Sequence, residues 1–529
     1  MVTPRPRSWE FRPTFLALLA IAACQPLEPG EDPSALESEL TLDANVRTLP
    51  IKSDRSLIIT DLSGLAKVQD RISPGKILTE VGKAAITRWA PAEGDRSRYG
   101  RNELNKWVQT PWRSASGEYD DHDRLPFEKR LGVSGHPNPW AHLMDLWPQL
   151  GNADVGDGPF RLLAVVNRLD ISGDVDDRGI IDAAKAPRTI GEGRLVFGLV
   201  DRAHEAQRNA PYPLTLIIEF RLPALDANFN VIDGFDYAGA LFDDAARRTQ
   251  LERWGLMWRQ LSKWDPAHGN ANQRQAFADH LWKIVNRFAQ ADNFVAMRGN
   301  VRLVGDNGVT EFELREWYML KNGDWTLINR KPRDEPYRCA DAKDLRNLVD
   351  FYWDAARQDV NMARVTPARP TKVIGYLIPR DIGNSPIPMA KDLTGCPMSG
   401  GEPVKFEMKG VDFNMTNRVT APFGRVRRDT LWDLPGAEEA KRHQFAIRTC
   451  TGCHGKEAGI FGFHIAPRMP NQEAALSDFL THGGGTDFSH GGATYRYNEL
   501  SGRKRWLERV STRDPSTQVF ESLYRHDAL

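Results

Sequence analysis

The sequence predicts an α+β protein with a mainly antiparallel sheet, on three observations. First, runs of one kind are grouped: three strand-like runs, two long helical runs, then three more strands. Second, Glu311-Phe312-Glu313-Leu314-Arg315-Glu316-Trp317 alternates polar and apolar, as a strand with one wet face does. Third, Asp306-Asn307-Gly308 sits between two of the later strands and is a hairpin-type turn.

The early strands are Arg161 to Asn167, Arg194 to Val200 and Leu214 to Leu222, rich in branched and aromatic residues. Tyr237 to Trp264 has Leu241, Leu251, Trp254, Leu256, Trp258 and Leu261 at helical spacing, and Gln273 to Phe288 repeats the pattern with Phe277, Leu281, Ile284, Val285 and Phe288. Trp254 and Trp258 stand one turn apart on the apolar face, which favours core packing over ligand stacking. The later strands are Asn293 to Val304, Thr310 to Leu320 and Trp325 to Asn329. A further helix is expected over Asp341 to Arg357, and from Pro367 the chain is rich in Pro and Gly.

This divides the chain into an export signal at 1–23, an acidic and proline-rich tether at 24–54, an α+β domain at 55–365, an irregular connection at 366–434 and a last segment at 435–529. The signal has Arg5, Arg7 and Arg12 before an apolar run, Phe15 to Ala23, too short to span a bilayer. Lys+Arg and Asp+Glu both total 70, so the near-zero net charge argues against a nonspecific nucleic-acid binder. No Gly-x-Ser-x-Gly elbow, His-Glu-x-x-His helix or Walker loop is present. Asp170, Asp174, Asp176, Asp177 and Asp182 cluster near Gly173 and Gly179; an acidic solvated loop is favoured over a calcium site, because Lys185 stands where a closing Glu is needed. His142, near His136 and Trp140, fits no zinc spacing and is expected to pack or face solvent.

Near the C-terminal end lies Cys450-Thr451-Gly452-Cys453-His454, the C-x-x-C-H pattern of c-type haem attachment. Positions i, i+3 and i+4 share one helical face. Two thiols can thus reach the porphyrin's vinyl groups while His454 reaches the iron. A disulfide between Cys450 and Cys453, or a zinc site with His454 and His464, stays open as an alternative.

Two resemblances follow. Ile21-Ala22-Ala23-Cys24 resembles the lipobox of bacterial lipoproteins, which implies a lipidated Cys24, a membrane anchor made of lipid alone and, with Gln25 next, an outer-membrane address facing the periplasm or the cell surface. Phe445 ahead of the haem motif, Gly455 behind it and a terminal helix over Asn498 to Val510 resemble the class I c-type cytochromes. That resemblance implies a small, mostly helical segment. Met469-Pro470, followed by Ala474, Leu476 and Phe479, resembles the cytochromes' Met-Pro and helix, and implies Met469 as the distal iron ligand, with His464 the alternative. The whole chain also resembles large lipoproteins of Gram-negative bacteria that end in such a motif. Cys339 and Cys396 are left over in an oxidising compartment and are expected to pair. The functional expectation is a lipoprotein with one covalent haem c, for electron transfer with a redox partner or for redox or gas sensing. The alternatives are a binding or structural lipoprotein without haem, and an enzyme that uses the haem.

Overall fold

Seven strands run in chain order across one sheet, every neighbouring pair antiparallel. The computed structural model describes residues 40–89, 139–147, 156–171, 190–232, 244–304, 310–320, 326–330, 462–481, 488–490, 493–495 and 499–512. The strands are β1 Ile58–Ile59, β2 Phe160–Arg168, β3 Glu192–Leu199, β4 Leu214–Arg221, β5 Phe294–Val304, β6 Thr310–Leu320 and β7 Thr326–Arg330. A separate short hairpin pairs β8 Phe488–His490 with β9 Ala493–Tyr495. The described helices are α1 Ser53–Ser56, α2 Leu62–Gln69, α3 Pro74–Trp89, α4 Pro139–Leu146, α5 Arg202–Arg208, α6 Asp244–Gln260, α7 Ala271–Phe288 and α8 Glu499–Thr512.

The α+β class and the antiparallel sheet agree with the periodicity reading for β2 to β7, while β1 and the β8–β9 hairpin were not read from it. Helices α2 and α3 are additions to it, and their signals are short-range. Asp61 caps α2 by accepting from the Gly64 N–H at 2.9 Å, and Pro74 opens α3, where its missing N–H costs nothing.

The two faces of the central strands carry different chemistry. On one, Leu195 and Phe197 of β3 stand beside Ile218 and Leu216 of β4, and Met297 of β5 continues the row. All five are buried, and Phe220 on the same face lies against Phe288 of α7, ring centroids 5.8 Å apart. Gly193 lets α7 come this close, since a Cβ there would meet the Phe288 ring at 2.7 Å. Gly64 does the same between α2 and α7, where a Cβ would meet Phe277 at 2.7 Å. Trp254 and Trp258 are both fully buried in this core, as expected; Trp254 Nε1 donates to the Pro223 carbonyl at 2.8 Å, and Trp258 stacks on Phe288.

The opposite face of the same strands is ionic. Glu219, with no exposed surface, is ion-paired to Arg194 at 3.1 Å and to Arg298 at 3.2 Å, and Arg194 also binds Glu192 at 2.6 Å. Buried charges of both signs on adjacent strands offset one another's lost hydration.

The folded body takes in both flanks. Its first described residue is Leu40, inside the stretch expected to be a tether. Leu40 and Val46 are buried, the Asp43 N–H donates to Gln260 Oε1 at 3.1 Å, and Asp43 pairs with Lys263. Asp43, one of the acids that suggested a solvated spacer, thus has its side-chain partner in the turn that follows α6. From the other flank α8 lies against α6; Trp506 Nε1 donates to the Leu169 carbonyl and Arg259 to Ser511 Oγ, at 2.8 and 2.9 Å. Ala474, Leu480, Leu500, Trp506 and Leu507 belong to the same hydrophobic core as the sheet and α7. The described stretches of 435–529 are therefore built into the α+β body, and the terminal helix falls at Glu499–Thr512, where it was expected. After Met469-Pro470 the expected helix is absent: residues 470–481 form turns and one bridge, Ile465 with Leu476. Asn471 takes a positive φ of 60°, which a helix does not accommodate.

Two outcomes follow from the core. Glu219→Ala leaves the buried Arg194 and the partly buried Arg298 without their shared carboxylate and should lower unfolding free energy by about 3 kcal/mol in denaturant titration; a loss under about 1 kcal/mol would mean the ionic face contributes little. His280 on α7 is buried with Nε2 2.9 Å from the Met257 carbonyl, and burial pushes its pKa from 6.5 down to about 4, against that hydrogen bond. Between those values the unfolded chain binds a proton that the native ring refuses, so stability falls as pH drops. Wild type should lose about 2 kcal/mol more than His280→Gln between pH 6.5 and 5, measured by urea unfolding at both pH values.

Candidate functional site

The described residues contain one cluster of titratable side chains with the composition of a proton-transfer site, where β3 hands over to α5. Val200 leaves the sheet, and Asp201 becomes the N-cap of α5, its Oδ1 accepting from the His204 N–H at 3.0 Å. The other carboxylate oxygen, Oδ2, lies 2.7 Å from Nε2 of His142 on α4. Tyr212, just before β4, sits between two imidazoles, its ring centroid 5.2 Å from that of His142 and 5.2 Å from that of His204.

The electrostatics follow from this packing. Burial alone would raise the Asp201 carboxyl, but the His204 N–H and the His142 ring outweigh it, so the group stays below the usual carboxylate range and ionised. Burial lowers the His204 pKa, opposed by the Asp201 charge, so this ring is neutral at pH 7. Burial, with Asp201 nearby, raises the Tyr212 hydroxyl and keeps it protonated. An ionised Asp201 accepts from His142 Nε2–H, which assigns the lone pair of neutral His142 to Nδ1. An imidazole oriented by a carboxylate in this way can accept a proton at its far nitrogen. Its plain structural role is to tie α4 to the start of α5.

A line of ion pairs and carbonyl bonds continues from this cluster to the C-terminal part of the chain. Glu205 of α5 takes both ends of the Arg161 guanidinium, at 3.0 and 3.4 Å. Arg161 also donates to the Arg468 carbonyl, while Arg468 Nη2 donates to the Leu162 carbonyl at 3.0 Å. Burial pushes Arg468 down to about 10, with Arg161 adding to the effect.

Arg468 belongs to a loop that closes like a hairpin. Ile465 bridges Leu476, the Ser477 N–H donates to the His464 carbonyl at 2.9 Å, and the Ala466 N–H to the Ala475 carbonyl at 2.9 Å. His464 and Ser477 face each other at its base, with His464 Nδ1 2.9 Å from Ser477 Oγ and the ring 4.9 Å from that of Phe479. Met469 stands at the tip, its carbonyl accepting from the Gln472 N–H across the Pro470-Asn471 turn. The structure therefore separates the two candidate iron ligands, His464 at the base and Met469 at the tip.

Cys24, Cys339, Cys396, Cys450, Cys453 and His454 lie outside the described residues, as do Asp174 to Asp182. Asp170 is described, and it is not in solvent. It is buried, takes the Arg168 guanidinium through both oxygens at 2.9 and 3.0 Å, and has Arg503 of α8 at 3.8 Å. Among the described residues no three His, Cys, Asp or Glu side chains are grouped to hold a metal ion, and no helix is long and apolar enough to cross a membrane.

The sequence carries half of the Asp201 signal. Asp201-Arg-Ala-His204 at the end of a strand is a readable helix cap. Its partner His142 lies 59 positions earlier, and no local pattern pairs them. Compared with protein-family models, with curated proteins and with solved structures, the chain has no match.

Asp201 serves both a cap and an imidazole, and substitutions should separate the two roles. Asp201→Ala loses both and should cost about 2 kcal/mol in denaturant unfolding, while Asp201→Asn, which still caps, should cost about half of that. Equal losses would show that the cap carries none of the effect.

Proposed function

We propose that this chain is an exported, lipid-anchored protein that carries one covalent haem c and serves electron transfer or redox or gas sensing. The observation that carries the reading is Cys450-x-x-Cys453-His454, which combines two thiols and an imidazole at the spacing that covalent haem attachment needs. Cys450 and Cys453 form the thioethers and His454 is the proximal ligand; Met469 or His464 is the candidate for the other side. The haem supplies one-electron chemistry at iron.

The export reading rests on the basic start, the short apolar run and Cys24 behind Ile21-Ala22-Ala23. Lipid on Cys24 holds the protein to the outer membrane, facing the periplasm or the cell surface, and the redox partner is a protein or small molecule of that compartment. In that oxidising setting Cys339 and Cys396 pair.

The test is expression in a bacterial strain with cytochrome c maturation. The denatured chain should keep its haem on a gel, and Cys450→Ala with Cys453→Ala should abolish the stain. A chain without haem whose two thiols are blocked by a mutual disulfide, or one that co-purifies with zinc, would replace the haem reading with one of the other two. Cys24→Ala should move the protein from the membrane to the soluble fraction.

A further inference from the structure

We infer that Arg468, where its loop meets β2, anchors a binding site for a small carboxylate, a site that stands apart from the haem reading. Three observations carry it. The first is charge. Two arginines cross here: Arg161 donates to the Arg468 carbonyl, and Arg468 Nη2 donates to the Leu162 carbonyl at 3.0 Å. One carboxylate answers them. Glu205 takes Arg161 at 3.0 and 3.4 Å, and both of those side chains are largely buried. Among the described residues no carboxylate forms an ion pair with Arg468. Glu473 acts on it only from a distance; it is exposed and accepts from Thr60 Oγ1 at 3.2 Å. The junction therefore keeps an uncompensated positive charge.

The second is unused donors. A guanidinium carries several N–H groups in a fixed fork. Arg468 spends Nη2 on the Leu162 carbonyl and Nη1 on the carbonyl of its neighbour Met469, the latter at 3.4 Å. Its Nε is buried and bonds no protein atom. A donor that has lost water without a replacement is costly, and native structures seldom leave one so. Burial, with the Arg161 charge adding to it, pushes the Arg468 pKa down to about 10, so the group is still charged at pH 7. The side chain as a whole is partly exposed, which gives a small ligand access from solvent.

The third is the fit of the ligand class. A carboxylate brings a single negative charge and two oxygens at the spacing of a guanidinium's paired N–H groups. A phosphate dianion would overcompensate the charge beside Glu205 and Glu473, and chloride has no second oxygen for the fork. Bound here, a carboxylate would tighten the contact between the loop and the sheet, because Arg468 belongs to one and Arg161 to the other.

The experiment is calorimetric titration and thermal unfolding of the purified full-length chain at constant ionic strength, with sodium acetate as the probe and sodium chloride as the background. Sodium phosphate is the comparison anion. Acetate should bind wild type saturably and raise its Tm, and phosphate should do so more weakly. Arg468→Lys, which keeps the charge but not the fork, should weaken acetate by about tenfold. Arg468→Gln, which keeps a donor for the Leu162 carbonyl, should fold and lose the acetate effect. Amide hydrogen exchange over residues 464–477 should slow with acetate in wild type and not in Arg468→Gln. This places the ligand at the loop without reference to the variants' stability. No saturable acetate effect in wild type, an effect that persists in Arg468→Gln, or a phosphate effect larger than that of acetate would each overturn the proposal. Haem content is read separately from the spectrum of the same sample, so the two readings stand or fall independently.

Discussion

Glu219 is the residue that the register of the sheet depends on. It is fully buried between Arg194 of β3 and Arg298 of β5, while its neighbours Ile218 and Phe220 point into the apolar core. Side chains alternate across a strand, so a slip of one residue would drive this carboxylate against α7 and Phe288 and turn Phe220 into the ionic layer. Both faces of the sheet thus forbid the shifted pairing. The apolar face supplies the driving force for burial, and the ionic face supplies the penalty for error.

Once the three central strands are fixed, the elements on either flank find their places on α6 and β2. Residues 40–51 and the terminal helix α8 meet there. Arg47 binds Glu252 and the Ser511 carbonyl, and Arg259 binds the Leu49 carbonyl and Ser511 Oγ. The first and the last described segments are therefore stitched to one helix. Described residues of a segment that reads in sequence as an appended module share the core of the sheet.

The same stitching bears on chemistry. His142, Asp201 and Tyr212 at the start of α5 connect through Glu205 and Arg161 to Arg468, and from there to the loop that holds His464. The bonds along this route are made by side chains that are largely buried, where charge-assisted hydrogen bonds hold geometry well. A loop anchored in this way is held rigidly against β2.

What the sequence determined by itself was whatever local periodicity and short motifs encode. The strands from Arg161 to Asn329 and the helices ending at Trp264 and Phe288 follow from alternation and helical spacing, because each element must bury one face and the pattern of apolar residues records which. The C-x-x-C-H motif and the cysteine after Ala22-Ala23 are equally local, since each is a pattern of a few adjacent residues. The tertiary structure alone decided the rest. It paired Asp43 with Lys263 and set Asp170 between Arg168 and Arg503, where the sequence suggested solvated acids, because the pairs with Lys263 and Arg503 span hundreds of residues and leave no mark on their neighbours. It brought His142 to Asp201 across 59 positions, and it placed Met469 at the tip of a loop and His464 at its base. A motif says which side chains could bind, but the backbone that orients them is set by the packing of distant segments.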